Sequence, residues 1–207
     1  MLKRTMGRSL LGLLVITGLA GTINNNSLSK SERKTAVSLL KETRSDLSGS
    51  VKDLSNHQLN YRISADKQSI KEQLYHLTLT EKNLWAVLEN TMKKAANPEK
   101  RTEVRMTDEQ LINFVEKGDA RIKLAAAIEN KKPAYRSVNE ALSIFKNRRA
   151  AHIKYMKSTT EDMRNHVVQM TFGWIDCYQL CLMIAARSNR TAQQINEIKT
   201  DTGFPEQ

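Results

Sequence analysis

Proline and glycine are scarce here, with three Pro and eight Gly in 207 residues. Strand-rich folds need turn formers at regular intervals, so this shortage argues against a sandwich or barrel and for long helices. Cysteine is scarcer still. Cys177 and Cys181 are the whole complement, and they sit four apart in one apolar helical stretch. Two cysteines on one helical turn are poorly placed for an unstrained bridge, so buried free thiols are expected even in an oxidising compartment. A Cys cluster, a Gly-rich phosphate loop and a Ser-His-Asp constellation are all missing. Internal repeats and low-complexity tracts are missing too. What is present is a hydrophobic fraction of 40% and a charged fraction of 27%, which suits one globular domain with a real core.

Charge leans one way, with 33 Lys and Arg against 22 Asp and Glu and a formal net charge of +11. Three of those positive charges, Lys3, Arg4 and Arg8, form a basic start, so eleven less three leaves +8 for the rest. A short apolar stretch, Ser9 to Gly21, follows them, with small residues at Gly18 and Ala20. That order is the pattern of an export signal over 1–21. The stretch falls short of the roughly 20 apolar residues of a spanning helix; an uncleaved N-terminal membrane anchor is the alternative. The expected location is periplasmic or extracellular. The remaining Lys and Arg alternate with acids and read as solvated faces, so no nucleic-acid role is expected. An anionic envelope surface stays open as a partner, as does a homodimer, the commonest assembly of small bundles.

Four side-chain capping patterns precede four amphipathic runs. Residues 22–29 read as a polar linker. Ser29-Lys30-Ser31-Glu32 opens a first helix over about 30–55 with Val37, Leu40, Leu47, Val51 and Leu54 on its seam. Ser69-Ile70-Lys71-Glu72 opens a second with Leu74, Leu77, Leu84 and Leu88, ending before Pro98. Thr107 to Gln110 opens a shorter third carrying Leu111, Phe114, Val115 and Ile122 to about Lys132-Pro133, and Ser137 to Glu140 opens a fourth with Val138, Leu142, Phe145 and Met156. A last helix is expected over about 174–199, after Gly173. The fold class is therefore all-α: four long helices around a core over 30–200, a short extra helix in a crossover, and a tail over 201–207. Trp85 and Trp174 are expected near helix ends.

Two segments carry a family resemblance. Leu54-Ser55-Asn56-His57-Gln58-Leu59-Asn60, through Asp66, leads into Ser69-Ile70-Lys71-Glu72-Gln73-Leu74-Tyr75-His76 and on to Glu81; Ala185-Ala186-Arg187-Ser188-Asn189-Arg190-Thr191-Ala192-Gln193-Gln194-Ile195 runs along the last helix. These resemble the second and last helices of DinB-like proteins, four-helix bundles, with Gln68 where a Trp is usual. The resemblance implies a metal site of one His from the second helix and His-x-x-x-His from the last. Residues four apart on a helix lie within roughly 40° of each other, so two such imidazoles can share one ion. Here His76 matches the first ligand, but Arg187 and Thr191 occupy the other two positions. A guanidinium stays protonated and has no lone pair to give, and a Thr hydroxyl is a poor ligand for a divalent transition metal. No metal of the family type is therefore expected. The other histidines, His57, His152 and His166, lack the four-residue spacing. His152 lies on the apolar seam of the fourth helix, where a hydrogen-bonded core histidine is the plain reading.

Glu81 falls in the seam slot between Leu77 and Leu84, and Arg149 in the slot between Phe145 and His152. Either they pair inside the bundle, since neither is cheap to bury alone, or the seam turns outward and both are solvated. The functional expectation is an exported, metal-free DinB-like domain. Its pocket between the second and last helices would bind an unknown small polar or anionic molecule, with His76, Glu81, Arg149, His152, Arg187 and Thr191 as candidates. The alternative is a thiol transferase or hydrolase-like enzyme using His76 and a non-standard ligand set around a divalent transition metal such as zinc or nickel. A residual enzyme with His76 as general base, oriented by Glu81 or another carboxylate, is a further form of it. N-terminal sequencing of protein from a native-like host should find a start between Ala20 and Thr22 in an extracytoplasmic fraction. An intact Met1 in the soluble cytoplasmic fraction would contradict the export signal.

Overall fold

The computed structural model describes residues 27–118 and 134–206. The expected export signal, most of the linker, and the stretch from Ile122 to Lys132-Pro133 lie outside them.

Side-chain caps set where the helices begin. Ser29 accepts from the Glu32 N–H while Glu32 accepts from the Ser29 N–H, and α1 runs Lys30–Ser50 from that box. A short α2, Asn56–Asn60, starts from a separate box at Ser55 and Gln58. The same reciprocal pair at Ser69 and Glu72 starts α3, Ile70–Met92. Thr107 and Gln110 start α4, Asp108–Glu116, and Ser137 caps α5, Val138–Ser158. Each box satisfies two N–H groups that the first turn leaves without helical partners. The first helix is shorter than expected: it stops at Ser50, and Asp53 takes a left-handed φ of 58° ahead of α2. A 3-10 turn, Pro98–Glu103, follows α3.

The last helix also starts later than expected. Val167–Met170 (β1) and Gly173–Asp176 (β2) pair antiparallel, with Val167 opposite Asp176 and Met170 opposite Gly173. Gly173 turns the hairpin at φ 135°, a conformation open to glycine. Asp176 then caps α6, Cys177–Lys199, accepting from the Gln179 N–H at 2.7 Å. So Trp174 sits in a strand beneath the Lys100 ammonium at 5.3 Å, and Trp85 sits in mid-α3; neither marks a helix end.

In the bundle, α1 and α3 each pack against both α5 and α6, and α4 packs on α6. Covered by three helices, α6 is buried all round from Cys177 to Ala186. Its two thiols are free and buried, and burial pushes both up to about 12, so they stay protonated. Arg164 joins three helix starts: it donates to Glu32, Asp108 and Asp176 and lies over the Tyr178 ring at 4.1 Å. The tail is held as well, Tyr61 donating to Asp201 and meeting Phe204 edge to face.

The apolar core comes in two blocks. Leu40, Leu84, Leu88, Met156 and Cys181 belong to the one nearer the hairpin. Leu47, Leu74, Phe145 and Ile195 belong to the other. Between them, at Thr43, Glu81, Arg149 and Ser188, the four long helices each place a polar residue inside, and all four are buried. Among the described residues no helix is long and apolar enough to cross a membrane.

Candidate functional site: a polar cavity beside α3 and α6

Three of the six candidates meet at one place. His76, Arg187 and Thr191 all line a cavity of about 280 Å³, together with Gln73, Arg190 and Gln194. Helix geometry explains the grouping. Arg187, Arg190, Thr191 and Gln194 stand at i, i+3, i+4 and i+7 and share one stripe of α6. The Ser69 box sets the phase of α3 so that His76 and Gln73, three apart, share a face. Thr191 donates its hydroxyl to the Arg187 carbonyl at 3.0 Å. The end of α4 contributes Val115 and Gly118. Gly118 is needed there: its φ is +67°, and a Cβ would lie 3.0 Å from the Arg190 Nε.

Among the described lining residues there is no carboxylate. Two buried polar atoms of that wall, Gln73 Oε1 and Arg190 Nε, have no hydrogen-bond partner among the described residues. A buried polar group left without a partner costs about 1–3 kcal/mol. Gln73, Arg190 and Gln194 are not among the residues expected from sequence; the i, i+3, i+4, i+7 stripe is the signal that points to the two on α6.

The other three candidates are elsewhere. Glu81 is five residues beyond His76, which turns it roughly 140° around the helix, so it faces the core and does not orient His76. Of the two alternatives for the seam residues, the buried pair is the one realised. Arg149 is 0% exposed and Glu81 2%. The guanidinium grips the carboxylate with both arms, Nε to Oε1 at 3.1 Å and Nη2 to Oε2 at 2.7 Å, and donates further to Thr43 Oγ1 at 3.0 Å and Ser188 Oγ at 2.7 Å. Burial alone would raise the Glu81 pKa, but Arg149 and the hydrogen bonds outweigh it and hold the carboxyl below its ordinary value. His152 is buried beside them, stacked on Trp85 at 3.7 Å between ring centroids. Its Nδ1 lies 3.2 Å from Glu81 Oε1 but off hydrogen-bond alignment. Burial lowers its pKa, and the pull of Glu81 only partly offsets that.

A sequence model of the DinB superfamily matches residues 39–195, a span that holds the polar layer and every described residue of the cavity wall. The chain belongs to the DinB superfamily. Its structure is similar to that of YfiT from Bacillus subtilis, with a TM-score of 0.59 over 91% of this chain and 97% of that one, at 14% identity. That protein is described as a probable metal-dependent hydrolase with an unusual four-helix bundle topology. At this identity the likeness speaks for the fold. No curated protein matches the sequence.

Among the described residues lining this cavity, His76 is the one of a type that commonly ligates a transition metal. Arg187 has no lone pair to offer, and the Thr191 hydroxyl is engaged with the backbone. Among the described residues, no three of His, Cys, Asp and Glu are grouped to hold a metal ion.

The buried layer can be tested in two ways. Glu81→Gln or Arg149→Met alone should cost about 3–5 kcal/mol, because each strands a buried partner. The double variant should cost clearly less than the sum; additive losses would mean the two do not interact. Acid should also weaken the fold through His152. Its folded pKa lies below the ordinary 6.5, so as pH falls through 6.5 the unfolded chain takes up a proton that the native state refuses. Urea midpoints should therefore drop from about pH 7.5 to about pH 5.5, and His152→Gln should flatten that slope. An unchanged slope would show that His152 does not titrate this way.

Proposed function

We propose that this DinB-superfamily protein binds a small anionic or polar molecule in the cavity beside α3 and α6, without a transition metal. The observation that carries the reading is the convergence of His76, Arg187 and Thr191, with Arg190, on one cavity whose described wall holds no carboxylate. Two guanidinium groups on one helical stripe suit a carboxylate or phosphate; Arg190 donates Nη1 to Glu197 at 3.1 Å and keeps Nε for an occupant. The Gln side chains and His76 then sort ligands by their remaining polar groups. A cavity of about 280 Å³ suits a small molecule. We place this binding outside the cytoplasm, on the strength of the basic start and short apolar stretch over 1–21. Metal-dependent hydrolysis needs donors that Arg187 and Thr191 do not supply, so the cavity reads as a binding site.

Thermal unfolding in the presence of citrate or inorganic phosphate tests the reading. A saturable rise in Tm that is lost in Arg187→Gln/Arg190→Gln supports it. No response to any small anion, or an equal response by the double variant, contradicts it. Zinc titration tests the metal-free half. The wild type should bind zinc weakly, and Arg187→His with Thr191→His, which puts three imidazoles around one space, should bind it tightly. Tight binding by the wild type would mean that other residues serve as ligands.

A further inference from the structure

A second cavity, of about 470 Å³, opens between α3 and α5 and shares no described lining residue with the first. Three rings build it. Trp85 stacks on His152 at 14° between planes, and Tyr155 meets Trp85 edge to face with centroids 5.5 Å apart. The polar ends of two of the rings are engaged with carboxylates. Trp85 Nε1 donates to Glu89 Oε1 at 3.0 Å, and the Tyr155 hydroxyl donates to Glu161 Oε2 at 2.5 Å. These bonds fix both carboxylates at the mouth and use one oxygen of each. The second oxygens, Glu89 Oε2 and Glu161 Oε1, take no hydrogen bond among the described residues.

His152 adds a third acceptor. Its Nδ1 is turned to Glu81, whose charge Arg149 maintains. A proton on that nitrogen is favoured by the facing carboxylate, so the neutral ring keeps its lone pair on Nε2. Nε2 is on the ring edge away from Glu81, and His152 lines the cavity. The groups left to meet an occupant are thus acceptors, two of them charged. Lys93 is the cation on this wall, and it is exposed on a flexible stem. Two carboxylates against one ammonium make the lining net negative, on a chain of +11. Leu88 and Met92 line the same space and make its floor apolar. A hard metal ion asks for about six oxygen ligands; two carboxylates over an apolar floor do not provide them.

We propose that this cavity binds an organic ammonium, a primary amine carried on a compact aromatic or aliphatic body. Its N–H groups meet Glu89, Glu161 and His152 Nε2, and its charge lies against the Trp85 and Tyr155 rings, which attract cations. Its body lies on Leu88 and Met92. The occupant is opposite in charge to the one proposed for the first cavity, so the two readings stand or fall separately.

Phenethylamine is a suitable probe. Trp85 and Trp174 are the two tryptophans, so in Trp174→Phe the emission reports on Trp85 alone. Phenethylamine should change that emission saturably, and the neutral 2-phenylethanol should not do so over the same range. Glu161→Gln keeps an acceptor for Tyr155 but removes a charge, and should weaken amine binding about tenfold, the worth of one charge-assisted contact. Its far-ultraviolet ellipticity should match the parent. No saturable change with the amine, equal binding of the alcohol, or full affinity in Glu161→Gln would overturn the proposal. Calcium chloride producing the same emission change would overturn it as well, since the carboxylates would then be serving a metal ion.

Discussion

One guanidinium holds the middle of this bundle together. Arg149 reaches from α5 to Glu81 on α3, Thr43 on α1 and Ser188 on α6. Those are the four long helices, and the contacts fall in a single layer. A buried charge without partners would cost several kcal/mol, so the fold is committed to delivering all three acceptors to the same point. A sliding of any one helix by a turn would break the layer as well as the apolar packing above and below it. We read the pair as a device for register more than for net stability, since a buried ion pair often does no better than well-packed hydrophobic residues.

That register is also what shapes the two cavities. Ser188 faces the layer, and its neighbour Arg187, turned about 100° around α6, faces the first cavity. Glu81 faces the layer from α3, and His76 faces the first cavity from the same helix. His152 borders the layer with one ring nitrogen and the second cavity with the ring's other edge. The polar layer is therefore common ground between a wall rich in guanidinium on one side and a wall rich in acceptors on the other. Neither cavity is open to the Glu81 carboxylate itself, which Arg149 occupies on both oxygens.

Much of this is legible in the amino-acid order, for reasons that are local. The boxes at Ser29, Ser69 and Thr107 start helices where a hydroxyl precedes Glu or Gln by three residues, and short-range rules suffice for that. The grouping of His76 with Arg187 and Thr191 follows from the family resemblance plus a four-residue spacing. Other features depend on tertiary context. The hairpin before α6 is hidden because each strand has four residues, too few to show alternation, although Asp176, three residues before Gln179, carries a helix-start signal like the other caps. The box at Ser55 starts a helix barely longer than a turn, too short to show a periodic face. The choice between a paired and a solvated Glu81 needs the phase of three helices at once. The link between His152 and Trp85 joins α5 to α3, and nothing in either segment alone announces it.

On the proposed reading, a guanidinium and a hydroxyl stand in place of two metal-binding imidazoles of a DinB-superfamily bundle and make its cavity a seat for anions. The transition-metal content of the protein purified without chelators, set against that of His76→Ala, decides the matter. Far less than one equivalent of any transition metal is expected in both. One equivalent in the wild type that disappears in His76→Ala would contradict the reading, and would place a working metal centre where Arg187 and Thr191 stand.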